Sequence, residues 1–165
     1  MIIALLVTII AGLLLTIGKI KLQTCISLPL LAFYISFAAT ITIIERRLSQ
    51  NPKYNLMPFW SYRAILEGKT ELISEVLWNV VLFVPIGILL MLLLTCKNRW
   101  LISVVIGVFL SSAIEIIQLI FHLGLFEFDD IFHNTLGTLI GIGLYVVLAS
   151  LITKFIVKNK AKTEI

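Results

Sequence analysis

With 165 residues, 60% of them hydrophobic and only 13% charged, and a mean hydropathy of +1.10, the chain does not have the composition of a soluble domain; those run at ~45–50% apolar and ~25% charged. It reads as one integral membrane domain, an all-α polytopic bundle. The net charge of +4 does not point to nucleic acid, because the lysines and arginines flank apolar runs and form no single patch, so orientation in a membrane accounts for them.

The first apolar run, residues 1–18, has no positive stretch ahead of it, which argues against a cleaved signal peptide. It is short for a span of ~20 residues. Lys19 and Lys21 punctuate, and residues 24–44 form a second span containing Pro29. Residues 45–75 are the one substantial polar connection. It opens Glu45-Arg46-Arg47, and its Tyr54, Phe59, Trp60 and Tyr62 among basic residues predict a segment at headgroup depth. Within it, Ser61 is placed to cap a short helix to Glu67, with Arg63 and Glu67 one turn apart and Gly68 ending it. Residues 76–95 form the third span, with Asn79 in its first turn and Pro85 and Gly87 beyond. Residues 100–121 form the fourth. An acidic loop with Glu127, Asp129 and Asp130 leads to the fifth, residues 131–157, and a lysine-rich tail. Five transmembrane helices result, or four if the first run does not span. Cys25 and Cys96 stand in no metal or redox spacing and are expected as free thiols.

With five spans, Lys19, Lys21, Lys97, Arg99, Lys154, Lys158, Lys160 and Lys162 share one side, against Arg46, Arg47, Lys53, Arg63 and Lys69 on the other. The positive-inside rule makes the tail cytoplasmic and the N-terminus external.

The fourth span departs from plain hydrocarbon. At ~100° per residue Ser111, Glu115, Gln118 and His122 fall within about 60° of one another on a helix. A carboxylate inside a span costs roughly 2.5–3.5 kcal/mol on insertion scales, so it faces protein or a water-filled cavity. Glu115 lies about 10 Å below the external end of its helix and Gln118 about 6 Å, with Asn79, Asp130 and Asn134 near the same level. A one-sided polar cluster of this kind suggests a site open to the outer leaflet. Structural alternatives stand beside it. Asn79 and Asn134 also suit helix caps or interhelical hydrogen bonds, Gly137 and Gly141 suit close helix packing, and His122 and His133 suit the interface. No compact ligand motif is present, so neither a metal nor another cofactor is expected.

The segments Asn55–Phe59 (NLMPF), Asn79–Gly87 (NVVLFVPIG), Ile114–Gln118 (IEIIQ) and Asp130–Gly137 (DIFHNTLG) occur in the order found in the VanZ-like family, which this chain resembles over about residues 45–150. The resemblance divides the chain into two N-terminal transmembrane helices (1–44), a VanZ-like domain with an external interfacial loop and three spans (45–158), and a basic cytoplasmic tail (159–165). It carries Asn55, Pro58, Phe59, Asn79, Phe83, Pro85, Gly87, Glu115, Gln118, Asp130, Asn134 and Gly137 over as motif positions. The chain departs from the pattern at Glu127, where the family has Asp, and at Gly124, where many members have Arg. One family member is known for low-level teicoplanin resistance. The resemblance therefore implies a bacterial envelope protein and not a defined reaction.

Three functions follow as expectations. The first is a resistance factor that binds a lipid-tailed glycopeptide or a lipid-linked cell-wall component, with Asn55, Pro58, Phe59, Asn79, Glu115, Gln118, Glu127, Asp130 and Asn134 as candidate ligand-binding residues. The second is an enzyme acting on an envelope lipid, with Glu115 or Asp130 as general acid or base. The third is a scaffold subunit whose polar groups serve packing alone. Membrane lipids are the expected surroundings. A chain this small has little interior, so a homodimer is a further expectation.

Overall fold

Hydrocarbon offers a peptide group no water to bond to, so an apolar run that crosses it has to close its own hydrogen bonds as a helix. The computed structural model describes residues 2–44 and 53–163 and follows that rule. Its helices are α1 (Ile2–Thr16), α2 (Leu22–Ala39), α3 (Trp60–Leu66), α4 (Glu71–Leu93), α5 (Arg99–Ile120) and α6 (Phe128–Thr163), joined by two short strands, β1 (Lys53–Asn55) and β2 (Leu125–Glu127). Residues 45–52, where the polar connection opens, lie outside the described residues. The chain is an all-α polytopic membrane bundle. Among the described residues four helices, α2, α4, α5 and α6, are long and apolar enough to cross a membrane. At ~1.5 Å per residue the 15 residues of α1 reach about 22 Å, short of the ~30 Å hydrocarbon core. It lies against α2, where Ala4, Leu5 and Thr8 meet Pro29, Leu30 and Phe33 across a shallow cleft.

The central pair is α4 and α6, held close by small residues. A Cβ on Gly137 would collide with the carbonyl oxygen of Val80, one on Gly141 with that of Val84, and one on Gly87 with that of Thr138. The pair Gly137 and Gly141 therefore does what its spacing predicts. Helix α5 joins through Gly107, where a Cβ would lie 2.5 Å from Thr138 Oγ1. Beside this contact Phe83, Ile86 and Leu90 of α4 and Leu31 of α2 form the apolar core. At the far end Arg99 donates to the carbonyl of Met91 at 3.3 Å and lies 5.1 Å from the centre of the Tyr145 ring, which ties α4, α5 and α6 together.

Helix starts differ from the sequence expectation. Helix α4 begins at Glu71, five residues before the expected start of the third span, so Asn79 stands in the third turn and not the first. The reason is local. Gly68 (φ +101°) ends α3 with the hydrogen bonds of Gly68 to Ile65 and Lys69 to Ala64, both 3.0 Å, and α4 begins almost at once, above the apolar stretch. Helix α6 likewise begins at Phe128, which moves Asn134 into its second turn. Its 36 residues reach ~54 Å, beyond the ~40–45 Å of a whole bilayer.

Between α5 and α6 the chain turns back into the bundle. His122, in the left-handed region at φ +56°, closes α5, with His122 N–H on Leu119 O (3.3 Å) and Leu123 N–H on Gln118 O (2.8 Å). The chain then returns along α5, and the N–H of Glu127 reaches the Glu115 carboxylate at 3.0 Å. Glu115 lies five residues before the end of its helix, about 7 Å in. Backbone without helical bonds needs partners at that depth. It finds them in a parallel pairing of β2 with β1, in the register Lys53–Leu125, Tyr54–Phe126 and Asn55–Glu127. This two-stranded ribbon was not legible in the sequence.

Candidate functional site

Because β1 and β2 run parallel and in register, the segments after them set out side by side. Asp129, one residue into α6 and 1% exposed, uses that proximity. Its Oδ1 accepts from the N–H of Phe59 (2.6 Å), and its Oδ2 accepts from the N–H (3.0 Å) and the hydroxyl (2.6 Å) of Ser61. The N-terminus of α3 is thus capped by a carboxylate from another helix, and Ser61 is a donor to that carboxylate instead of the cap expected of it. Phe59 takes a left-handed conformation, φ +61°, at the turn and sets its ring edge-on to Phe132 at 5.4 Å. Tyr62 of α3 shares a 2.9 Å hydrogen bond with Nε2 of His133, whose Nδ1 lies 4.0 Å from Asp130.

Below this junction the polar stripe of α5 is sealed. Ser111, Glu115 and Gln118 are 0–2% exposed, as the helix geometry requires of a face turned to protein. Asn134 Nδ2 donates to Ser111 Oγ at 2.8 Å, and Gln118 Nε2 to the carbonyl of Thr42 at 2.9 Å. That carbonyl belongs to a π-helical turn, Thr40–Ile44, at the end of α2, where the wider backbone spacing loosens the regular ladder. His122 is not on this face, because the helix has already ended.

Beside the sealed stripe lies an open cavity of about 850 Å³. One wall is apolar and aromatic, with Tyr34 and Phe37 of α2, Ile41 of the π-helical turn that follows it, and Trp78, Val81 and Leu82 of α4. The other end is polar, with Glu75 and Asn79 one turn apart on α4, Glu127 closing β2 and Asp130 opening α6. Tyr34 braces the wall by donating its hydroxyl to the carbonyl of Leu82 at 3.0 Å. Burial, and then the charges of Asp130, Glu115 and Glu75, push the Glu127 carboxyl up to about 8, an effect that the neighbouring Trp60 indole N–H only partly offsets. Glu127 thus holds a proton near neutral pH. Among the described residues no three His, Cys, Asp or Glu side chains are arranged as metal ligands.

Of the residues singled out in the sequence, the structure brings Asn79, Glu127 and Asp130 together at this cavity. Glu115, Gln118 and Asn134 form the frame behind it. Asn55 accepts from the N–H of Met57 at 3.1 Å in the turn after β1, while Pro58 and Phe59 shape the entry to α3. Sequence reasoning missed Glu75, Trp78 and Asp129. A signal for Glu75 is present, since it stands four residues before Asn79 on one helical face, but the apolar stretch that marks the third span begins one residue after it. Asp129 reads in the sequence only as part of the acidic loop, because the partners that define its role lie some 70 residues away in the chain.

No curated protein and no solved structure matches the chain. A family model does match, and its residues 25–149 take in the cavity wall on α2, the ribbon and the glycine contacts of α4 with α6. On that match the chain belongs to the VanZ/LLP1 family.

Proposed function

We propose that the protein is a membrane-embedded binding protein of the bacterial envelope. It takes the lipid tail of an amphiphile into the cavity between α2 and α4 and engages the head at the polar end. In this way it contributes to resistance against lipid-tailed glycopeptides such as teicoplanin, by holding the antibiotic or a lipid-linked cell-wall component. The observation that carries this reading is the division of the cavity into an apolar, aromatic wall and an end lined by Glu75, Asn79, Glu127 and Asp130. Its volume falls in the ~300–1,000 Å³ range of small-molecule pockets. The positive-inside count supports an external polar end.

The test is susceptibility. Wild type and Val81→Trp, at equal membrane abundance in a sensitive Gram-positive host, are compared for inhibitory concentrations of teicoplanin and of vancomycin, which lacks the tail. Val81 lines the cavity and is half exposed, so a larger side chain narrows the cavity while sparing the core. Protection against teicoplanin alone, lost in the variant, is expected. Equal protection by both proteins refutes the reading.

Glu127 favours one second reading. A carboxyl that holds its proton near neutrality can act as a general acid on an envelope lipid. Labelled lipid precursors altered by purified protein and left alone by Glu127→Gln would support that reading; precursors left unchanged by wild type would remove it.

A further inference from the structure

Helix α6 outruns the bundle it belongs to. It runs in the same direction as α4, in contact from Val80 and Gly137 to Gly87 and Gly141. At equal rise per residue Leu93, the last residue of α4, is level with about residue 150. Helices α2 and α5 stop near the same height. Arg99, the first residue of α5, meets Tyr145, and Gln23, at the start of α2, donates to the carbonyl of Leu92. With 23 residues, about 34 Å, α4 already fills the ~30 Å hydrocarbon core. Residues 151–163 therefore continue ~20 Å beyond the helices beside them.

This overhang is not plain polar tail. At ~100° per residue Leu151, Ile152, Phe155 and Ile156 share an arc of ~140°, with Lys154 and Lys158 along one edge and Lys160 along the other. Within residues 151–160, Asn159 interrupts the arc and Val157 the polar back. The four apolar side chains are 50–66% exposed, and the three lysines are exposed as well. An upright helix would carry Phe155 and Ile156 through the ~5–8 Å head-group layer to the water, whereas a leaning one keeps them in lipid along the interface. Orientation by the positive-inside rule accounts for lysines next to a span and does not call for an apolar arc beyond it. At this end Lys19, Lys21 and Lys97 are also exposed, and no carboxylate of the described residues stands among them. We propose that residues 151–160 are an interfacial segment that binds anionic phospholipids, the arc among acyl chains and Lys154, Lys158 and Lys160 on lipid phosphates. Lysines edging an apolar arc favour a negatively charged bilayer surface. A free phosphate would leave the arc uncovered, and a zwitterionic surface lacks the net charge. The segment lies at the end of the bundle opposite the cavity's polar groups, so the assignment is independent of the cavity reading.

The test uses the full chain in nanodiscs of phosphatidylglycerol and phosphatidylcholine in equal amounts, with the same acyl chains. Lipids that stay on the protein after release from the discs are counted by native mass spectrometry. A lysine close to an anionic surface contributes ~5-fold to binding, so wild type should retain phosphatidylglycerol at least ~5-fold over phosphatidylcholine. The triple variant Lys154→Gln, Lys158→Gln, Lys160→Gln should retain the two nearly equally, with its unfolding midpoint unchanged because the three side chains are exposed. Lys69→Gln, at the other end of the bundle, should keep the preference. Excess glycerol 3-phosphate should not displace the retained lipid. Equal retention by wild type overturns the proposal, as does a preference that survives in the triple variant. Displacement by glycerol 3-phosphate would also overturn it, since the site would then take the free phosphate without the bilayer.

Discussion

Asp129→Ala should detach α3 from the bundle. The substitution removes both acceptors of a carboxylate that holds the N–H groups of Phe59 and Ser61 and the Ser61 hydroxyl at 2.6–3.0 Å. A hydrogen bond to a charged group contributes ~1.5–3 kcal/mol, and a buried donor left bare costs ~1–3 kcal/mol. The three bonds share one acceptor group and do not add, so the expected loss is ~3–5 kcal/mol, more than the ~0.5–2 kcal/mol of an ordinary helix cap. Phe59 sharpens the effect. Its left-handed conformation costs ~1–2 kcal/mol, and with its N–H released it is held there chiefly by the ring contacts with Phe132 and Tyr62. Asp129→Asn keeps one acceptor and turns an N–H₂ toward a donor, so it should fall between wild type and alanine. The assay is thermal unfolding in detergent read from tryptophan emission, since Trp60 opens α3, together with limited proteolysis between residues 59 and 70. Asp129→Ala with an unchanged midpoint and unchanged cleavage would refute the claim that this carboxylate anchors α3.

Gly137→Ala should cost ~1–3 kcal/mol or more, because the added methyl meets the Val80 carbonyl oxygen and backbone cannot step aside as a side chain can. Gly143→Ala, with nothing within 4 Å, should be neutral or gain ~0.5–1 kcal/mol from helix propensity; equal midpoints for the two variants would contradict the close α4–α6 contact. The folded pKa of Glu127, about 8, lies above its ordinary value of 4.5, so the folded state keeps a proton that the unfolded chain gives up. The stabilising contribution of that proton is complete below about 4.5 and is lost as pH rises through about 8. Unfolding midpoints measured from pH 5 to 9 should decline for wild type and flatten for Glu127→Gln. Parallel curves would show that Glu127 is not protonated in the folded protein.

The bundle was legible because hydropathy records which segments must be helical in lipid, and the buried stripe Ser111–Glu115–Gln118 because helix periodicity is rigid. Legibility ended where long-range contacts take over. A three-residue strand carries no period, so the β1–β2 pairing left no trace, and without it nothing indicated that the chain turns back beside α5. The same gap hid the division of labour within the polar cluster. Glu115, Gln118 and Asn134 read as the most anomalous residues because burial in a span is costly, yet they serve as the frame. Glu75 and Trp78, at the cavity itself, read as ordinary because they are exposed and near a helix end. The motif glycines have a packing explanation, and Asn79, Glu127 and Asp130 are the sequence-flagged residues that reach the cavity.

The central claim is that a lipid tail occupies the cavity, and photocrosslinking in cells measures it most directly. A photoreactive amino acid is placed at Phe37, which lines the cavity, and in a second protein at Phe109, which is exposed on α5 away from it. On exposure to teicoplanin or to a labelled lipid-linked cell-wall precursor, the account predicts a crosslinked adduct from position 37 that Val81→Trp abolishes, and background labelling from position 109. Equal labelling from both positions, unaffected by Val81→Trp, would mean that the cavity holds no tail.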